Sequence, residues 1–165
     1  MKRNTFFLLT FSVVLLAAAF FPVSVLEVKQ KRGGEVFFKK KVVSGEVFHF
    51  RYIHSVEKIP VEASFVVESD GFLNILETRY SSYGPGLPAS QGEKIMGKGW
   101  LGVTGGGRVE KFTFFISKIN EPSFKFKQTV LDLGTKMREG EIMEVSVKRT
   151  PILFLTIHIG LTFFE

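Results

Sequence analysis

The sequence predicts an all-β domain, an antiparallel β-sandwich or partly open barrel, preceded by one N-terminal membrane helix. Three observations predict it. From Leu26 onward, apolar residues recur with a period of two in runs of strand length. Glycine-bearing turns separate those runs at regular spacing. No amphipathic helix interrupts them, and Thr129 to Arg138 offers at most a turn. The 165 residues suit one β domain, 27–165, behind a leader of residues 1–26.

The leader opens with the basic Met1-Lys2-Arg3 and runs through an uncharged apolar stretch from Phe6 to Phe21. Thr5 to Leu26 just reaches the roughly 20 residues that cross a bilayer as helix. Ala17-Ala18-Ala19 offers a cleavage site, but it lies inside the apolar run with Phe20-Phe21 after it. An uncleaved signal anchor is therefore favoured over a cleaved signal peptide. Lys2 and Arg3 stay in the cytoplasm by the positive-inside rule. The expectation is a single-pass cell-membrane protein with its β domain extracytoplasmic, either periplasmic or at the cell surface.

The strands follow in order. Leu26–Lys31 and Glu35–Val43 face each other across Arg32-Gly33-Gly34, where glycine supplies positive φ for a hairpin. Glu46–His54 puts Phe48, Phe50 and Tyr52 on one face, with His49 and Arg51 on the other. Glu62–Glu68 sets Ala63, Phe65 and Val67 against Glu62, Ser64 and Glu68. The turn Ser69-Asp70-Gly71 leads into Phe72–Tyr80. Lys111–Ser117, Phe124–Leu131 and Ile142–Lys148 also alternate. The apolar tail from Ile152 to Phe164 is too short to span a bilayer as helix. It is expected to be a strand buried on both faces; the alternative is a dip into the membrane interface beside the anchor, with Phe163-Phe164 as the wedge.

Composition excludes several function classes. There is no cysteine, so no disulfide, thiolate nucleophile or Cys-ligated metal. The 19 Phe, against one Trp and three Tyr, point to core filler rather than a stacking platform. The net charge of +6 is scattered, with Lys39-Lys40-Lys41 the one block, and no nucleic-acid motif accompanies it. The three histidines lack ligand spacing, and the aspartates are isolated, so no metal and no cofactor are expected.

His54-Ser55, near Glu57 and Glu62, invites a Ser-His-acid hydrolase. Adjacent strand residues point to opposite faces, however, and no Gly-x-Ser-x-Gly elbow exists. His54 is expected to end a strand, with Ser55 bonding backbone in the turn. Glu77 and Arg79 share one strand face with Leu73 and Ile75 if alternation is regular, which would partly bury both charges. Arg79 is then expected to be held by Glu77 or Glu62, or to grip a carboxylate ligand with its planar fork. The stretch from Ser81 to Gly99 is a long loop, framed by Gly84, Gly86, Pro85 and Pro88 and carrying Ser82, Tyr83 and Leu87. With Trp100 beyond it, the His54-Ser55 corner beside it and the Glu77-Arg79 strand adjoining, this loop is the expected recognition surface.

Tyr52-Ile53-His54-Ser55-Val56-Glu57, Pro60-Val61-Glu62, Glu77-Thr78-Arg79, Ser82-Tyr83-Gly84-Pro85-Gly86-Leu87-Pro88 and Gly99-Trp100 together resemble the family catalogued as domain of unknown function 1850. The resemblance covers the leader through about Val147; Pro85 departs from the alanine more common in the family. It implies an extracytoplasmic protein anchored by one N-terminal helix. It also implies a neighbour, a tripartite ATP-independent periplasmic (TRAP) transporter of the TAXI subgroup. The leading expectation is thus a membrane-anchored binding or accessory protein of such a transporter. A small-ligand module for an organic acid is the alternative, and a hydrolase comes third.

Overall fold

The computed structural model describes residues 10–13, 19–81, 93–97 and 99–153. Among them, eleven strands form two antiparallel sheets packed face to face. The four-stranded sheet has the order β2 (Val36–Lys41), β1 (Pro22–Gln30), β11 (Ile142–Pro151), β8 (Lys111–Phe115). The seven-stranded sheet runs β10 (Thr129–Asp132), β9 (Ser123–Phe126), β3 (Val47–Ile53), β4 (Pro60–Val67), β5 (Leu73–Tyr80), β7 (Trp100–Val109), β6 (Lys94–Gly97). The all-β sandwich is as the alternation predicts, and the sheets do not close into a barrel.

Phenylalanine fills the space between the sheets. Phe48, Phe50, Phe65, Phe124 and Phe126 line the inner face of the larger sheet and are buried. Phe38 and Phe112 answer them from the smaller one, with ring centroids 5.2 Å from Phe124 and 4.8 Å from Phe65. Each tilted pair adds about 0.5–1.5 kcal/mol beyond its buried area. Period-two spacing puts these rings inward, so the residues between them on β3, β4 and β9 must face out.

The structure corrects several boundaries. Pro22–Leu26 is not the end of a membrane helix; it is the first half of β1, paired residue by residue with Val147–Pro151. No helix among the described residues is long and apolar enough to cross a membrane. The expected strand Phe124–Leu131 is a hairpin, β9–β10, turning at Lys127-Gln128 with Lys127 at φ 54°. Neither turn residue is glycine, asparagine or aspartate, so nothing in the sequence marks it. Asp132 accepts from the Thr135 backbone N–H and caps a one-turn helix, Leu133–Lys136, where a turn is expected. Lys94–Gly97 is an edge strand rather than loop, paired with β7. The expected C-terminal strand lies mostly outside the described residues; Ile152 and Leu153 have helical backbone and are exposed.

One irregularity positions the site. Ser64 pairs with Glu77 and Phe65 with Ile75, so Leu76 is an extra residue in β5. Opposite it, Thr104 pairs with Glu77 and Gly107 with Ile75, leaving Gly105-Gly106 unpaired in β7. A Cβ on Gly106 would lie 2.8 Å from Ile75 Cγ2, so the glycine makes room for this double bulge. The extra residue reverses the facing of everything after it. Leu73 and Ile75 point into the core, and Glu77 and Arg79 point out. The expectation that all four share a face is overturned by this bulge.

Candidate functional site

The outer face of the seven-stranded sheet carries two registered rows of polar residues. Ser123, Arg51, Glu62, Arg79 and Gly102 pair strand to strand across β9, β3, β4, β5 and β7. Lys125, His49, Ser64, Glu77 and Thr104 make the neighbouring row. With strands about 4.8 Å apart, the Arg51 and Arg79 backbones lie roughly 10 Å from each other across Glu62.

The charges here are incompletely matched. Arg79 Nη2 meets Glu77 Oε1 at 2.7 Å, and its guanidinium lies over the Trp100 ring, 4.7 Å from the centroid. Glu62 comes no nearer than 3.8 Å to His49 Nδ1. Arg51 and Lys125 have no ion-pair partner among the described residues and are exposed. Two adjoining depressions follow this row. One, of about 450 Å³, is lined by His49, Arg51, Glu62, Ser123, Lys125 and Val130. The other, of about 250 Å³, is lined by Arg51, Pro60, Glu62, Arg79, Tyr80, Ser81 and Trp100. A larger hollow of about 910 Å³ lies elsewhere, around Lys118, Asp132 and Arg138; there Asp132 is already engaged in capping.

Trp100 is seated by a missing side chain. A Cβ on Gly97, its partner across the β6–β7 edge, would fall 2.3 Å from the indole. The ring therefore lies flat over bare backbone, where it can carry Arg79. Behind the face, Tyr52 and Tyr80 hydroxyls have their pKa raised by burial.

The geometry around His49 does not form a charge-relay set. His49 Nδ1 is 3.0 Å from Ser64 Oγ and 3.8 Å from Glu62. A charge-relay set needs serine and acid on opposite ring nitrogens. Here both approach the same one, so the set does not activate Ser64. His54 Nδ1 accepts the Glu57 N–H at 3.2 Å and ties down the β3–β4 turn. Ser55, expected to bond backbone there, has no hydrogen-bond partner among the described residues. No three His, Asp or Glu side chains among the described residues are grouped to hold a metal ion.

Of the residues singled out from sequence, Glu62, Glu77, Arg79 and Trp100 come together on this face. His54 and Ser55 sit at the β3–β4 turn, at the strand ends from which Ser81 departs. Ser82, Tyr83, Gly84, Gly86, Leu87 and Pro88 lie outside the described residues. Sequence reasoning missed His49, Arg51 and Lys125 as site residues. Their signal was their position opposite the buried phenylalanines of β3 and β9.

The family model described as domain of unknown function (DUF1850) matches residues 48–133, just over half of the chain. The protein belongs to this family. No curated protein and no solved structure matches it significantly. The matched span of the DUF1850 chain contains both polar rows, from His49 on β3 to Lys125 on β9.

Proposed function

We propose that this DUF1850 protein is a non-catalytic, extracytoplasmic binding module that captures a small carboxylate ligand on the outer face of its larger sheet. The observation that carries the proposal is Arg51, a cation without an ion-pair partner among the described residues, at the lip shared by two depressions. Arg79, held against Trp100 and Glu77, stands across from it. A guanidinium fork suits a carboxylate in two-point contact. Glu62, between the two arginines, disfavours a bare polyanion and favours a carboxylate that also bears a hydroxyl or ammonium donor.

The location rests on the basic start and apolar run of residues 1–21, and the transporter context on the family resemblance. In that context the module serves a TRAP-type transporter of the TAXI subgroup. A flat protein-docking surface built on Tyr83 and Leu87 is the second reading; the concavity beside Arg79 favours the small ligand.

Trp100 is the sole tryptophan and touches Arg79, so its emission reports on the site. Titration with hydroxy acids, amino acids, plain carboxylates and sulfate is expected to change that emission saturably for the first two. Arg51→Ala should weaken the response about ten-fold or more, as for loss of a charged hydrogen-bonding group. A flat titration with every class would reject the small-ligand reading. Cross-linking in native membranes then tests the transporter as partner.

A further inference from the structure

The two ends of the β domain leave it at one point. Pro22 pairs with Pro151, and the Ile152 backbone N–H donates to Phe21 O at 3.2 Å. The apolar run before Pro22 and the apolar run after Pro151 therefore start side by side. Around this exit the surface is apolar and basic. Phe20 and Phe21 are 53% and 64% exposed, and Val43 lies nearby at 58%. Lys41 and Arg149, both exposed and without a carboxylate partner among the described residues, flank β1 at Val25 and Ser24. Glu68 and Asp70, whose turn lies against Val147, are held by Arg108. This end thus presents aromatic side chains beside unmatched cations.

We propose that the sandwich stands with its β1/β11 end on a bilayer, and that the run from Ile152 to Phe164 enters the same leaflet beside the N-terminal apolar run. This rests on the membrane location proposed above. Exposed aromatics beside lysine and arginine match the boundary between acyl chains and anionic headgroups. One apolar run gives a swivelling tether; two that start at paired residues give a fixed posture. The C-terminal run of 13 residues would be about 20 Å long as helix, against about 30 Å of hydrocarbon. It therefore enters without crossing. The opposite end, with Glu139, is held about 30 Å away by the length of β11.

The chain has no cysteine, so single cysteines can be labelled uniquely. The full chain, reconstituted in phosphatidylethanolamine–phosphatidylglycerol vesicles, would carry an environment-sensitive fluorophore at F21C, F163C or E139C in turn. Nitroxide-bearing lipids are expected to quench the first two and leave the third bright. Quenching at F163C should be strongest with nitroxides near the headgroup. Pairing F163C with K41E and R149E should reduce its quenching in anionic vesicles by at least two-fold. If F21C is quenched and F163C is not, the C-terminal run lies outside the bilayer and the inference fails, with the membrane location intact. If F21C is also unquenched, the membrane location itself fails. Neither outcome bears on carboxylate binding at Arg51.

Discussion

On the outer face of the four-stranded sheet each acid sits against lysine. Glu144 lies 3.3 Å from Lys29 and 3.6 Å from Lys111, and Glu27 lies 2.6 Å from Lys148. Both carboxylates are nearly buried, at 7% exposure. On the outer face of the seven-stranded sheet, Arg51 and Lys125 have no such neighbour among the described residues, and there Glu62 has only a distant histidine. The same residue types alternate out of both sheets. One face uses them to fix strand pairing, and the other leaves them available. Unmatched charge, rather than charge as such, marks the candidate site.

The largest way to break this contrast is to remove the best-matched acid. Glu144→Ala strands two lysines, and about 2 kcal/mol of stability should be lost; they are partly exposed and recover some solvation, so the cost falls below that of a fully buried pair. Glu62→Ala should cost under about 0.5 kcal/mol, as for exposed pairs. Urea unfolding of both variants measures the difference. Equal costs would mean that the two faces are alike.

Acid titration sharpens the same point. Burial alone would raise the Glu144 pKa, but Lys29 and Lys111 outweigh it and hold it below its ordinary 4.5. The Lys127 hydrogen bond likewise holds Glu46 down. Groups whose folded pKa is depressed contribute stability above the unfolded value and lose it as pH falls through the folded one. Melting temperature should therefore fall below about pH 4.5, and Glu144→Gln should flatten that limb. Lys148 behaves oppositely. The hydrogen bond to Glu27 raises its pKa above 10.5, so its contribution is complete at neutral pH and fades only in strong alkali.

Smaller effects are expected at the candidate site. Gly97→Ala places a methyl where the Trp100 ring lies, so the Arg79 stack should open. An exposed cation–π contact is worth about 0.5–1 kcal/mol. Ligand affinity should drop a few-fold and Trp100 emission should shift, with the fold retained by circular dichroism. Smallest is Ser146→Ala. The Ser146 hydroxyl is buried without a hydrogen-bond partner among the described residues, so its removal should leave stability unchanged or raise it slightly.

Much of the sandwich was legible in the sequence because half-buried strands alternate. Phe48, Phe50 and Tyr52 declare the inner face of β3 without reference to any other strand. Lys127 shows the limit, since a turn made at positive φ by a lysine leaves no compositional mark. The site was half legible. Glu77, Arg79 and Trp100 stood out as residue types, but Arg51 and Lys125 gain meaning only once register sets them beside Glu62. Register is a non-local property, fixed by turn length and by irregularities such as the one at Leu76. It was at Leu76 that regular alternation assigned Glu77 and Arg79 to the wrong face.

Leu76 also determines how this strand tolerates changes in length. Deleting it would remove the bulge and bring β5 into a single phase, with Glu77 and Arg79 still facing out opposite Ser64 and Glu62. A deletion at Thr78 would be far harsher, because it would turn Arg79 toward the phenylalanine core and Tyr80 to solvent. Relatives can therefore carry or lack the extra residue and keep the arginine outside, so long as the count from Glu77 to Tyr80 is kept. The bulge gives β5 one position at which its length can vary without exchanging its faces.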